Sequence, residues 1–414
     1  MRARVAAAVT ALALYQNPTP MARPPAPIYS DDPGDAWNRI FSLLFTRTIR
    51  ATRLGESGTV ETYEVGDRAI EALYPSFITR RGTDYAVAAP AQPALVAALT
   101  NALDERSPRA PLDRALMQMD LWSAFDALAP VAAAQPLLPL MGRLIGKLAL
   151  TPEEISSLPD NFAEARTSFG LPDLFAPNGG WIEVVMAEHR MHDDAADFRR
   201  ASRVFVRPLT PPADEALFLR NLPTATPSKL GAAVLVMQTL VIDSRGRVAP
   251  THLISDMQMR AITREGRRGS SAFGDAPVDE YELSRRKLRS REAGGGFVHF
   301  GATSPAYVPL AGNDYGFATP ARDRQGETAP VLTTLRTRCA ACHGTDGSAF
   351  MTFNLITGPG QSLPPVVRLR QPNDDRARYV AMRKEEREDF RRLIAIAFPA
   401  RAAAPRLPAS VSAR

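Results

Sequence analysis

Hydrophobic positions along the chain change period twice. From Asp35 to about Leu158 they recur every three or four residues, the helical spacing. Trp37, Ile40, Phe41, Leu44 and Phe45 mark a helix within Asp35–Ile49, and Leu116, Met119, Trp122 and Leu128 mark another over Leu112–Leu128. Thr151-Pro152-Glu153-Glu154 predicts the start of a third: threonine can cap, proline suits the first turn, and Glu154 completes a capping box. From about Trp181 to Tyr315 the signals are those of strands. Ala233–Ile242 and Val248–Ser255 are β-type runs joined by the turn sequence Asp243-Ser244-Arg245-Gly246, which predicts a hairpin. Gly296–Phe300 alternates and predicts a further strand. Between them, Arg260–Glu292 is charged and reads as flexible, with Arg285, Arg286, Lys287, Arg289 and Arg291 on an exposed helix. A loop-like bridge over Asn313–Ala329 leads to a predicted short helix over Pro330–Arg338. A proline-glycine loop over Gly358–Pro365 then precedes a long amphipathic helix over Asp375–Ala400.

These patterns predict an α+β fold class. A helical region (35–158) and a β-rich region (159–320) precede a mostly α C-terminal module (330–414). In front of them, Met1-Arg2-Ala3-Arg4 and the apolar run Val5–Tyr15 have the form of a secretory signal over 1–17, with small residues at Ala11-Leu12-Ala13. Residues 18–34 are proline-rich and read as an extended linker. The apolar stretch Ala127–Gly142 is broken by Pro130, Pro136 and Pro139, and Gly231–Ile242 is short. Neither reaches the roughly 20 residues of a spanning helix, so no membrane span is expected in the mature chain.

Composition changes little in this picture. The 414 residues are 45% hydrophobic and 23% charged, which excludes a disordered or collagenous chain. The net charge of +6 comes from 50 basic and 44 interspersed acidic residues, so no dedicated nucleic-acid surface is expected.

The chemistry concentrates in Cys339-Ala340-Ala341-Cys342-His343-Gly344, which holds both cysteines of the chain. On a helical turn, residues three apart share a face. Two thiols so placed can form thioethers to the two vinyl groups of one haem, and the adjacent imidazole can reach the iron. Here the chain resembles the C-terminal module of class I c-type cytochromes, over about its last 85 residues. The resemblance implies one covalent haem c on Cys339 and Cys342, with His343 as the proximal iron ligand. It also implies an exported, periplasmic location and electron transfer with a redox partner protein. In that family the sixth ligand is a methionine well after the motif. Met382 is the first candidate, although it sits in a helical sequence with no following proline. Its structural alternative is packing against Phe390 and Leu393. Met351, eight residues past His343, is a second candidate, and His299 or an open iron position are others.

Competing readings are a zinc site completed by His299 or His252, and a thioredoxin-like dithiol. The three zinc ligands in the motif would be too crowded, and the dithiol would need a preceding strand where helix is predicted. Whether the chain is itself an enzyme stays open: a catalytic site in 35–315 could use the haem as relay, or an open haem could serve a sensor or peroxidase. His189 and His192 among acids suit a metal or a solvated loop equally well. Gly294-Gly295-Gly296 lacks the features of a phosphate loop. The arginines of 285–291 are either a solvated face or a docking patch for an acidic partner.

Overall fold

The computed structural model describes residues 28–45, 49–54, 60–65, 92–176, 179–186, 200–221, 230–261, 278–302, 305–308, 331–334, 366–368 and 375–402. They form a mixed α+β structure. Helices α1 (Ala36–Phe45), α2 (Gln92–Asp104), α3 (Pro111–Leu128), α4 (Leu138–Lys147), α5 (Pro152–Ser156) and α6 (Asn161–Phe169) supply most of the first half. The expected capping box is present: the Glu154 amide donates to the Thr151 hydroxyl, and the Thr151 amide donates to Glu154 Oε2 at 2.9 Å. Arg114, on α3, donates to the same carboxylate and so fastens α5 to the helical layer.

A hairpin interrupts the helical region. Strands β1 (Ile49–Leu54) and β2 (Val60–Val65) pair antiparallel from Ile49↔Val65 to Leu54↔Val60. Ile49 and Thr52 in one run, and Val60, Thr62, Tyr63 and Val65 in the other, are residue types that suit a pleated surface. The hairpin completes its sheet with strands far along the chain, β9 (Pro305–Val308) and β10 (Val331–Thr334). The order is β2-β1-β10-β9, with β1 and β10 parallel. The short helix predicted over Pro330–Arg338 is therefore corrected: Val331–Thr334 is an inner strand. Val331, Thr333 and Thr334 are β-branched and stiff at χ1, which suits the pleated surface that two neighbouring strands provide.

The second sheet has seven antiparallel strands in the order β11-β3-β4-β5-β6-β7-β8. They are β3 (Ile182–Met186), β4 (Arg200–Pro208), β5 (Leu230–Ile242), β6 (Val248–Ala261), β7 (Val278–Leu283), β8 (Phe297–Phe300) and β11 (Val366–Arg368). The expected β5–β6 hairpin is there, and Asp243 Oδ1 shapes its turn by accepting the amides of Arg245 and Arg247 at 2.9 and 2.7 Å. Strand β7 falls where charge suggested flexibility. Its Glu280-Tyr281-Glu282-Leu283 stretch alternates, and β6 and β8 pair on either side of it. Helix α6 packs Phe162 and Ala165 with Phe205, Val234, Val236, Met257 and Tyr281 in a core on one sheet face. Asn161, at the start of α6, is fully buried. Its side chain donates to the carbonyls of Ile254 and Gly295 and accepts the Ile254 amide at 2.8 Å.

The helix expected over Asp375–Ala400 breaks at Arg387, whose backbone is extended. It forms α9 (Asp375–Glu386), α10 (Glu388–Ala397) and a last turn, α11 (Pro399–Ala402). Helices α7 (Glu215–Asn221) and α8 (Arg285–Arg289) precede these in the chain. Ala377, Val380, Ala381, Phe390 and Leu393 share the main core with Trp122, Leu144 and Leu240, so the terminal helices pack into the same body as the first half. Gly142 and Gly146 of α4 admit α10 closely: a Cβ at Gly142 would lie 2.6 Å from Ile396, and one at Gly146 2.6 Å from the Ala397 carbonyl oxygen.

At the α9–α10 corner, fully buried Lys384 pairs with Asp126 at 2.7 Å and Asp389 at 3.2 Å. Burial alone would raise the Asp389 carboxyl, but the hydrogen bond from Arg387 and the charges of Lys384 and Arg387 outweigh it and hold the group below its ordinary value. A lowered folded-state pKa stabilises above the unfolded-state value, and that stabilisation disappears as pH falls through the folded-state value. Urea midpoints of the native chain should thus exceed those of Asp389→Asn at neutral pH and converge with them on acidification. A constant gap down to about pH 2 would remove this ion pair from the stability balance.

Candidate functional site

The residues singled out by sequence are not gathered in the described part of the chain. Cys339, Cys342, His343 and Met351 lie outside the described residues, as do His189 and His192. What the structure does place are the flanks: β10 ends at Thr334, five residues before Cys339, and β11 begins at Val366. Thr334 pairs with Pro305, and Val366 pairs with Met186, so each flank is tied to a different sheet. A strand, not a helix, thus leads toward the cysteines.

Met382 sits on α9 and is 51% exposed. Its helix turns Ala377, Val380, Ala381 and Lys384 inward, while Phe390 and Leu393 belong to the core. Packing of Met382 against Phe390 and Leu393, the structural role its sequence position suggested, is therefore corrected. Its thioether faces outward because it falls on the other side of the 3.6-residue period.

His299 stands on β8. Its Nε2 lies 2.7 Å from Asp279 Oδ1, and its ring stacks on Tyr281 at 4.7 Å between centroids. Burial first, and the Asp279 charge second, push the Tyr281 hydroxyl up to about 12. Phe169 meets Tyr281 edge-on at 5.4 Å. A carboxylate holding one imidazole nitrogen fixes the ring's orientation, as in metal-bound histidines, and leaves the other nitrogen to bond elsewhere. His252 is exposed on β6.

The basic cluster is only partly a surface. Arg285 is buried and grips Asp120 through Nε and Nη2, while Arg289 pairs with Asp113 at 2.5 Å. The expectation of one exposed basic helix is corrected at these two positions. Helix α8 has only five residues, and its period turns Arg285 and Leu288 inward. Arg286 and Arg291 remain exposed.

Sequence reasoning missed a set of charged groups inside the seven-stranded sheet. Among the described residues, Asp256, Glu280 and Glu282 form a group of three buried acids whose oxygens lie within 4.8 Å of one another. Register explains it. Asp256 pairs with Glu282 and Gln258 with Glu280, so all four share one face, alternating with Met257 and Tyr281 of the α6-covered core. The alternation Glu280-Tyr281-Glu282 was the available signal. Three such carboxylates offer the hard oxygen donors that suit a divalent cation. A second polar group lies on β3, β4 and β5, where Arg203 meets Glu183 through two hydrogen bonds of 2.7 Å and Gln238 at 3.2 Å. Gly294-Gly295-Gly296 packs against Phe169, Asn161 and Leu288.

Among the described residues no helix is long and apolar enough to cross a membrane. No family model matches the chain, and neither a curated protein nor a solved structure matches it.

Proposed function

We propose that this chain is an exported monohaem c-type cytochrome that carries electrons to a redox partner protein in the cell envelope. One observation carries the reading: both cysteines of a 414-residue chain stand in a single Cys-x-x-Cys-His segment. The donor set suits haem c, with two thiols for the vinyl groups and an imidazole for the iron. When bound, haem supplies one-electron redox chemistry, and the protein tunes it through axial ligands, burial and nearby charge. Cys339 and Cys342 would tether the group and His343 would hold its proximal side. Met382, whose thioether is exposed on α9, would be a further iron ligand, with Met351 and His299 as alternatives. The cationic and apolar start of the chain supports export, which the resemblance requires for haem attachment.

A second reading gains from β10. A dithiol redox pair of the thioredoxin type follows a strand, and here a strand ends five residues before Cys339. The two readings separate cleanly. Expressed with haem-ligation machinery in a bacterial periplasm, the chain should gain the mass of one haem and keep it through a denaturing gel. Cys339→Ser with Cys342→Ser should lose it entirely. Haem that extracts into acidified acetone, together with thiols that oxidise reversibly to a disulfide, would replace the cytochrome by the dithiol.

A further inference from the structure

Residues Ile28–Asp32 join neither a strand nor a helix, yet Ile28 and Tyr29 are buried. Side chains of the adjacent helix α1 and of the distant α3 and α8 hold them. Asn38 Oδ1 accepts the amides of Ile28 and Tyr29 at 2.9 and 2.8 Å, and its Nδ2 donates to the carbonyls of Ser30 and Asp32 at 2.9 and 2.8 Å. Arg289 donates to the Ile28 carbonyl at 2.6 Å, with its guanidinium 5.9 Å from the centre of the Tyr29 ring. The Tyr29 hydroxyl donates to Asp120, and its ring meets Trp37 and Phe41 edge-on at 6.4 and 6.1 Å.

We propose that Ile28–Asp32 is a strap bound as a ligand would be. It fills in cis a slot that recognises a bent peptide with an aliphatic residue followed by tyrosine, and it can leave while the body stays folded. Two features carry this. First, the slot is built without the strap: Asp120 is held by Arg285, Arg289 by Asp113, and Arg285 lies over Phe41 at 5.4 Å. Departure of the strap leaves each of these charges with a partner, so the slot can stay standing. Second, the strap's backbone is gripped by side chains instead of a strand ladder, and it is followed by the exposed residues Pro33 and Gly34, where the chain can hinge. The tyrosine is selected by its ring cage and by the carboxylate at its far end, which a phenylalanine cannot satisfy.

The test uses the full-length chain and a fluorescent peptide with the sequence of residues 26–34. Tyr29→Ala should bind the peptide, while the native chain, its slot filled, should bind at least roughly tenfold more weakly. A peptide with phenylalanine in place of its tyrosine should also bind roughly tenfold more weakly to the variant, for the lost hydrogen bond to a charged group. A folded Tyr29→Ala chain that ignores the peptide, or equal binding to both chains, would overturn the proposal. Should Tyr29→Ala not fold, hydrogen exchange of the native chain decides. The Ile28 and Tyr29 amides should exchange at least roughly tenfold faster than the central amides of α3, through an opening of their own. Equal rates would show that the strap leaves only when the whole body unfolds.

Discussion

Glu183→Leu is expected to destabilise the chain by about 3–5 kcal/mol, and adding Arg203→Met to it should restore most of that loss. Both members of this pair are buried, and two hydrogen bonds of 2.7 Å run in parallel from the guanidinium to the carboxylate. The guanidinium also lies over Phe175, 4.7 Å from the ring centre, which adds apolar surroundings. Removing the carboxylate strips the arginine of its counter-charge in a place where water cannot replace it. Removing both charges lets apolar side chains fill the same volume. Urea titrations of the four chains in a double-mutant cycle measure the coupling. A single-variant cost below about 1 kcal/mol would place the pair energetically with surface ion pairs.

Gly295→Ala is expected to be among the costliest single-methyl additions in the chain, above about 4 kcal/mol, the range that marks a specific steric or polar failure. A Cβ there would lie 2.0 Å from the carbonyl oxygen of Asn161, and the residue has φ +62°. The obstacle is backbone at the start of α6, where the Asn161 side chain already bonds Ile254 and Gly295, so neither partner can shift without breaking that junction. Gly170 is the internal control. It has φ +65° and nothing lies within 4 Å of the place a Cβ would take, so Gly170→Ala should cost only the left-handed backbone term of about 1–2 kcal/mol. Thermal and urea unfolding of both variants, measured side by side, separates close approach from backbone conformation. Equal losses would assign the whole effect to φ.

Several elements were legible locally. The helix carrying Trp37 and Phe41 and the one carrying Leu116 and Trp122 follow from apolar spacing. The capping box at Thr151 follows from four consecutive residues, and the β5–β6 hairpin from its turn. Each rests on interactions within a few positions, which a short stretch of sequence contains in full. Helix α8 was also legible, but the environment of its arginines was not. Burial of Arg285 depends on Asp120, 165 residues away, and nothing around Arg285 differs from a solvated basic run.

The same division separates the two kinds of chemistry in this protein. The cysteine-histidine segment is a property of sequence alone: its five residues are bonded neighbours, and the haem reading needs only their order. The strand character of Val331–Thr334 was decided by tertiary structure, because its partners β1 and β9 lie elsewhere in the chain and a four-residue strand has no ladder hydrogen bonds without them. The gathering of Asp256 with Glu280 and Glu282 was decided there as well. A pleated strand turns alternate side chains to one face, but which carboxylates meet across strands is set by register, and register is fixed only when the sheet assembles.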